Sequence, residues 1–297
     1  MNITSKILHY LGVKIDELEV GQFDSLLRPY VVQSIGSYSV RSNLIRAMVL
    51  VASEGSWHGE ASVIPKRIVQ FWDDGVPPDD VFKLSASWIG CNPGYEYQIY
   101  DDSMARDLIV KNFDKAVVSA FDLCGHPVLR SDLFRFCFLY VYGGVYTDID
   151  EQCISSIEDL IKGQYLLGLS ARASIFLPAG RRGVPVSEAL RGSSSVRYGI
   201  YFNNSPLFAP SGSALTAFMI ESIVFSIQEH SARGMQLRVH DISAPPLFNQ
   251  RIMTWLSRGC MLEDRLNQIH ISPDWYESRV TEPHLQYKRT ERHWSKT

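Results

Sequence analysis

Two aspartates with one residue between them, Asp148 and Asp150, are the residues of this sequence best suited to chemistry. Alternate residues of an extended segment point to the same side, so the two carboxylates share a face. Mg²⁺ and Mn²⁺ prefer such hard oxygen ligands and usually keep waters or take further ligands from substrate phosphates. The pair therefore predicts a divalent-cation site, although two aspartates at this spacing also occur by chance in loops.

The residues that precede this pair are arranged to deliver it. Residues 130–142 form an apolar, helix-compatible run, which Gly143-Gly144 ends, as glycine commonly does just past a helix C-terminus. Residues 145–147 are β-branched and aromatic, the composition of a short buried strand. Asp132 and Arg135 are three residues apart, so a helix places them on one face. A plain intrahelical ion pair is the simplest interpretation of those two residues.

Residues 131–135 and 140–150 resemble the signature of the sugar-binding-region glycosyltransferases with a DXD motif. This is glycosyltransferase family thirty-two with its relatives, which include the clostridial glucosylating toxins. The resemblance implies a GT-A fold, a nucleotide-sugar donor and a Mn²⁺ cofactor, with Mg²⁺ as the alternative. It covers roughly residues 62–297 and is strongest at 130–151.

The resemblance also implies roles for particular residues. Asp132 would bind hydroxyls of the donor sugar, and Arg135 would lie near the sugar and the diphosphate. Asp148 and Asp150 would hold the metal, Asp150 most directly. Asp132, Arg135 and Asp150 are therefore the candidate catalytic residues.

Strands and helices alternate through the middle of the chain. Residues 64–72 and 95–100 have strand composition, and a helix is predicted after each of them. This rhythm predicts an α/β fold with a mostly parallel central sheet, in which ligands bind beyond the carboxyl ends of the strands. We expect a helical N-terminal extension over residues 1–60 and a single nucleotide-sugar-binding domain over 62–297. The extension is either a packing cap or a partner-binding appendage.

Further donor-binding candidates follow from strand ends and from the resemblance. Phe71 and Trp72 end the first predicted strand, and the resemblance implies that Trp72 stacks on the nucleotide base; a core tryptophan is the alternative. Asp102 follows the second strand, where a helix N-cap is the simpler interpretation. Asn204 follows a strand predicted over residues 198–202, and an Asn-rich turn is its alternative.

Two less regular segments complete the candidate site. Residues 172–197 carry five arginines with weak periodicity and are predicted to form a long loop, either an acceptor-binding flap or a solvated loop. The tail from Tyr287 is basic and aromatic, and the resemblance implies that His293 and Trp294 fold over the donor diphosphate. A frayed terminus is the alternative. Relatives have a Thr-Gly-Pro-like turn where this chain has Ser243-Ala244-Pro245.

Composition excludes several classes of protein. The 297 residues are 45% hydrophobic and 21% charged, with a net charge of −3, which gives no electrostatic case for nucleic acid. The five cysteines include no CxxC pair, so neither a zinc ribbon nor a disulfide framework is indicated. No window reaches the roughly 20 apolar residues of a transmembrane segment, and the N-terminus lacks a signal-peptide core. We expect a cytoplasmic enzyme; a peripheral membrane location, or secretion as an effector without a classical signal peptide, is the alternative.

The resemblance and these observations together predict a metal-dependent glycosyltransferase of the hexosyltransferase type, of the kind used in polysaccharide biosynthesis. The resemblance also implies that the anomeric configuration is retained. Its donor is a UDP- or GDP-sugar, and its acceptor is a glycan or a lipid-linked glycan. Two alternatives remain open: a toxin- or effector-like enzyme that modifies a protein side chain, and a non-catalytic protein that binds sugar nucleotides on the same fold.

Overall fold

A computed structural model describes residues 2–15, 20–55, 64–162, 165–178, 180–192, 198–259 and 261–290. The strands of this part of the chain are β1 (Arg67–Phe71), β2 (Glu96–Tyr100), β3 (Gly144–Tyr146), β4 (Gln152–Cys153), β5 (Leu167–Leu177), β6 (Gly180–Val184), β7 (Tyr198–Ala209), β8 (Ile269–Ser272) and β9 (Val280–Thr281). Seven of them form the main sheet, in the order β2-β1-β3-β7-β5-β6 with β8 also on β5. β1, β2, β3, β5 and β8 run in one direction, and β6 and β7 run in the other. The predicted α/β fold with a mostly parallel sheet is confirmed.

Helices cover the sheet. Those of the described residues are α1 (Ile3–Tyr10), α2 (Val20–Gly36), α3 (Tyr38–Ser53), α4 (Asp79–Cys91), α5 (Asp102–Asn112), α6 (Lys115–Leu123), α7 (Pro127–Tyr142), α8 (Val186–Arg191), α9 (Ala214–Ala232), α10 (Val239–Ile242), α11 (Pro245–Ser257) and α12 (Leu262–Asn267). A π-helical turn (Trp275–Arg279) and a 3₁₀ turn (Gln286–Arg289) follow near the end. Across the described ranges, no helix combines the length and apolarity that a bilayer crossing requires.

The N-terminal helices are part of the main hydrophobic core. Leu27 of α2 and Met48 of α3 are fully buried in the same cluster as Phe202 of β7 and Met253 of α11. Burying such side chains contributes roughly 1.5–3 kcal/mol each. A helical N-terminus is therefore confirmed, while the division of the chain at residues 60–62 stays a prediction.

The junction between α7 and β3 depends on its two glycines. Gly143 adopts φ 67° and Gly144 adopts φ 111°, values that L side chains rarely take. A Cβ on Gly144 would lie 2.6 Å from the carbonyl oxygen of Arg67, so the helix can turn into β3 beside β1 only with glycine there. This break places the residues after β3 next to those after β1.

The three parallel strands β2, β1 and β3 end at one edge of the sheet. Phe71 pairs with Tyr100, so β1 and β2 end level, while Tyr146 pairs with Val69, so β3 ends two residues earlier at the same edge. Trp72 and Asp148 follow at this edge, as the sequence predicts.

Two predictions of local structure are wrong. Residues 172–197 are not a long loop where they are described, because β5 continues to Leu177, pairs with β6 as an antiparallel hairpin and is followed by α8. The arginines and glycines of β6 lie exposed, so no apolar alternation marks it as a strand. Asn204 does not follow the end of its strand, since β7 continues to Ala209 beyond a bulge where it pairs with β5.

Candidate active site

A cavity of about 600 Å³ opens at the carboxyl edge of β1 and β3. This volume is within the range of small-molecule sites. The cavity brings together seven residues proposed from the sequence, which are Phe71, Trp72, Asp132, Arg135, Asp148, Asp150 and Asn204. Their roles remain predictions, but their convergence from β1, α7, β7 and the segment after β3 is a property of the fold.

Asp132 lies at the centre of a buried polar network. Its side chain is 3% exposed, and Nη2 of Arg135 approaches Oδ1 to 2.7 Å. The Asn204 side-chain amide donates to the same oxygen at 3.0 Å, and the Ser243 hydroxyl donates to Oδ2. Burial raises the pKa of Asp132, and the charge of Arg135 opposes that rise. The network thus fixes the direction in which this carboxylate presents its remaining lone pairs.

Arg135 links this network to the aspartate pair. Its Nη2 is 3.5 Å from Oδ1 of Asp148, and its guanidinium lies 4.5 Å from the centre of the Tyr146 ring. Burial acts to lower the pKa of Arg135, but Tyr146, Asp132 and Asp148 raise it overall. The guanidinium therefore places a permanent positive charge between the two acidic groups.

Asp148 is held by its backbone, which leaves the carboxylate facing the cavity. The Gln70 side-chain amide donates to its carbonyl oxygen at 3.0 Å, and its own N–H donates to the Ser205 hydroxyl at 2.8 Å. Although 37% of the side chain is accessible, desolvation in the cavity raises the pKa of Asp148 to about 6, against the opposing charge of Arg135. A neighbouring positive charge would favour the ionised form.

Asp150 is covered by residues 285–290, here called the C-terminal strap. The Tyr287 hydroxyl donates to Oδ2 of Asp150 at 2.8 Å, and Nζ of Lys288 lies 2.8 Å from the same oxygen. Leu285 is buried in a cluster with Trp72, and the edge of the Tyr287 ring meets Trp72 at a centroid distance of 5.4 Å. The strap therefore contacts both the proposed metal ligand and the proposed base platform.

The aspartate pair has the chemistry of a Mn²⁺ or Mg²⁺ site. Both carboxylates offer hard oxygens, and the Lys288 ammonium beside Asp150 shows that positive charge is stabilised there. Where the structure is described, no three His, Cys, Asp or Glu side chains gather around one point. The protein would thus supply the two aspartates, and water or donor phosphates would supply the other ligands.

Of the described residues proposed from the sequence, Asp102 lies outside the cavity. It is in the first turn of α5 and pairs with Nε of Arg130 at 2.8 Å, while Asp101 caps the helix. Phe71 touches the cavity but is 6% exposed and packs on Phe134 at 5.5 Å between ring centres. His293 and Trp294 lie outside the described residues.

Sequence reasoning missed other residues of the cavity. Ser243 stands where relatives have a Thr-Gly-Pro-like turn, and that position was the available signal for its bond to Asp132. The basic, aromatic composition of the tail was a signal for Tyr287 and Lys288. No local pattern indicated Tyr38 and Arg41, which reach the cavity from α3.

Comparison with known proteins agrees with this geometry. Residues 78–167 match the family model described as "Glycosyltransferase sugar-binding region containing DXD motif". Over these residues the chain is similar to that DXD sugar-binding region. The region spans the segment from α4 to the start of β5 and includes Asp132, Arg135, Asp148 and Asp150.

Two yeast enzymes are similar to about a third of this chain. Inositol phosphoceramide mannosyltransferase 2 of Schizosaccharomyces pombe is 35% identical over 99 residues, which are 33% of this chain and 28% of that protein. Initiation-specific alpha-1,6-mannosyltransferase of the same yeast is 32% identical over 108 residues, 34% of this chain and 26% of that protein. The match thus spans little more than a quarter of each relative. Among solved structures, PaToxG glycosyltransferase aligns over 92% of this chain and 96% of its own, with a TM-score of 0.45 and 15% identity.

Proposed function

We propose that the protein is a metal-dependent glycosyltransferase that moves a hexosyl unit from a nucleotide sugar to a glycan or a lipid-linked glycan. The observation that carries this proposal is the convergence of Asp132, Arg135, Asp148 and Asp150 on one cavity at the carboxyl edge of parallel strands. Mannose is the sugar best supported, because the two relatives that are similar to about a third of this chain are named mannosyltransferases. Retention of the anomeric configuration and a cytoplasmic location remain predictions from the sequence.

The chain's own groups would position the donor. Trp72 lies at the end of β1 and would stack on the base once Tyr287 withdraws. Asp132, fixed by Asn204 and Ser243, would accept hydrogen bonds from hydroxyls of the donor sugar. Such fixed geometry lowers the barrier by orienting the reactants before the reaction begins.

Positive groups next to the aspartate pair would stabilise the negative charge of the leaving diphosphate. A cation held by Asp148 and Asp150 would act as a Lewis acid that neutralises the leaving diphosphate. The Arg135 guanidinium, 3.5 Å from Asp148, is a fixed positive charge that needs no reorganisation during the reaction. The C-terminal strap would exclude water and so limit hydrolysis of the donor.

A donor panel tests this function. The protein is incubated with Mn²⁺ and a set of UDP- and GDP-sugars, mannosyl donors first, and released nucleoside diphosphate is measured with and without chelator. We expect release with one donor, its loss in chelator, and its loss in Asp150→Asn with the fold intact. Asp122→Asn, a carboxylate paired with Arg106 on the surface, is the matched control. Release by Asp150→Asn at the wild-type rate in chelator would contradict the metal-dependent mechanism, and donor binding without release under any condition would favour the binding protein.

A further inference from the structure

Arginine and tyrosine alternate along one wall of the cavity. The guanidinium of Arg41 lies 5.9 Å from the centre of the Tyr38 ring, and that of Arg181 lies 5.3 Å from the centre of the Tyr201 ring. Burial raises the pKa of Tyr38, and the facing charge of Arg181 opposes that rise. All four residues line the cavity. We call them the Arg-Tyr wall.

The two arginines of this wall lack a counter-charge. Among the described residues, neither Arg41 nor Arg181 forms an ion pair with a carboxylate. Arg41, which is 4% exposed, donates instead to the carbonyl oxygens of Ser34 and Ile35 at 2.6 and 3.1 Å. An arginine stays charged even when burial lowers its pKa, as burial does for Arg41. The wall therefore carries positive charge that no carboxylate of the described residues neutralises.

The other basic side chains of the cavity lie beside carboxylates. Arg135 pairs with Asp132 at 2.7 Å, Arg172 pairs with Glu282, and Lys288 pairs with Asp150 at 2.8 Å. At the rim, His240 has Asp241 beside it at 3.7 Å. Among the described residues that line the cavity, the basic side chains without a carboxylate partner are therefore those of the wall built by α3, β6 and β7.

The Arg-Tyr wall lies near the proposed donor-sugar site, because both include residues of β7. Tyr201 of the wall is three residues before Asn204, which holds Asp132, and the bulge of β7 begins after Asn203. Because an extended strand rises about 3.3 Å per residue, the backbones of Tyr201 and Asn204 are at most about 10 Å apart. This leaves room for one sugar or polyol unit between the reacting centre and the wall.

We propose that the Arg-Tyr wall binds a phosphate ester on the acceptor, next to the hydroxyl that receives the sugar. This rests on the proposed function. Guanidinium groups bind phosphate oxygens through paired, charge-assisted hydrogen bonds, and tyrosine rings offer amphipathic faces to the attached polyol. Arg41 is already buried without a carboxylate partner, and a neutral acceptor that covered the exposed Arg181 would desolvate a second guanidinium without a counter-charge, which costs free energy.

Arg181 and Arg182 provide a matched pair for the test. They are adjacent on the same exposed strand and carry the same charge, but only Arg181 lines the cavity. The protein is first saturated with Mn²⁺ and nucleoside diphosphate, so that the donor phosphate site is filled. Calorimetry then compares binding of mannose 1-phosphate with binding of methyl mannoside to the wild type, Arg181→Gln and Arg182→Gln.

We expect the phosphate ester to bind the wild type at least about tenfold more tightly than the neutral glycoside, because hydrogen bonds to charged groups contribute about 1.5–3 kcal/mol. Arg181→Gln should lose that preference, and Arg182→Gln should keep it. A vesicle-binding assay then identifies the source of the phosphate by comparing vesicles that contain phosphatidylinositol with vesicles of phosphatidylcholine alone. Binding to the phosphatidylinositol vesicles that depends on Arg181 indicates a lipid headgroup. Binding of the soluble ester without binding to the vesicles indicates a glycan phosphate.

Two results would overturn the proposal: equal affinity for the ester and the neutral glycoside, or equal loss in Arg181→Gln and Arg182→Gln. The initial saturation with Mn²⁺ and nucleoside diphosphate distinguishes these two results from a failure of the proposed function. If Mn²⁺ and nucleoside diphosphate do not bind, the glycosyltransferase assignment fails. If they bind and the wall shows no preference for phosphate, only the acceptor proposal fails.

Discussion

Replacing Lys288 with methionine should strengthen metal binding. The Lys288 ammonium is 2.8 Å from Oδ2 of Asp150, so a metal that takes this oxygen must displace it. Methionine keeps much of the apolar stem and removes the charge. The substitution therefore removes the competitor and leaves both aspartates in place.

The size of the effect follows from the geometry of this ion pair. Two unit charges 2.8 Å apart interact with about 1.5 kcal/mol at the dielectric constant of water and about 6 kcal/mol at an effective value of 20. The side chains are 21% and 18% exposed, and the entropy of holding a lysine offsets part of the attraction, as in exposed pairs that contribute up to about 1 kcal/mol. We expect a net change of about 1–1.5 kcal/mol, which is roughly a five- to tenfold lower Kd for Mn²⁺.

Electron paramagnetic resonance of free Mn²⁺ measures this Kd without reference to activity. Lys83→Met, on the exposed face of α4, is the matched control and should leave the Kd unchanged. The gain in Lys288→Met should shrink at about 1 M salt, where the screening length is about 3 Å. A Kd equal to or weaker than that of the wild type at low salt would refute the competition between Lys288 and the metal.

Three further predictions concern the donor side of the cavity. Trp72→Ala should raise the donor KM about tenfold and Trp72→Phe less, since stacking contributes about 1–3 kcal/mol per base; unchanged donor binding by calorimetry would identify Trp72 as a core residue. Because the pKa of Asp148 is raised to about 6, Mn²⁺ affinity should fall as pH drops through that value. The folded state binds this proton more tightly than the unfolded state, so ionisation of Asp148 lowers stability as pH rises from its ordinary pKa to about 6. Asp148→Asn should remove the contribution of Asp148 to both pH dependences, in titrations of binding and of unfolding, while the buried Glu151, whose pKa is raised to about 8, keeps its own effect on unfolding. Ser243→Ala should lower kcat/KM about tenfold by freeing the Asp132 carboxylate, with Ser243→Thr restoring part of the rate; equal rates in all three proteins would show that this hydrogen bond does not position Asp132.

The centre of the site was predictable because its elements are adjacent in the sequence. The helix, the glycine pair, β3 and the aspartates follow one another within about twenty residues, and local chemistry decides each step. Only glycine fits the backbone of Gly143 and Gly144, and β-branched and aromatic side chains favour the strand that follows. The sequence consequently placed Asp148 and Asp150 at the correct edge of the sheet.

Contacts between segments that are far apart in the sequence could not be predicted from local patterns. Tyr287 reaches Asp150 across 137 positions, and Ser243 reaches Asp132 across 111. Neither contact leaves a periodic signal, because one hydrogen bond imposes no repeat on its segment. The β5–β6 hairpin was missed for a related reason: its outer strand is exposed throughout, so the alternation that marks a half-buried strand is absent.

Tyr287 touches Trp72 through its ring and Asp150 through its hydroxyl. One side chain therefore covers both the proposed base platform and a proposed metal ligand, and its displacement would expose both. Binding of a nucleotide and binding of a cation would then be thermodynamically linked even where the two ligands do not touch, and each would favour the other by the same factor. For an enzyme with this arrangement, the concentration of free cation would set the apparent affinity for the donor.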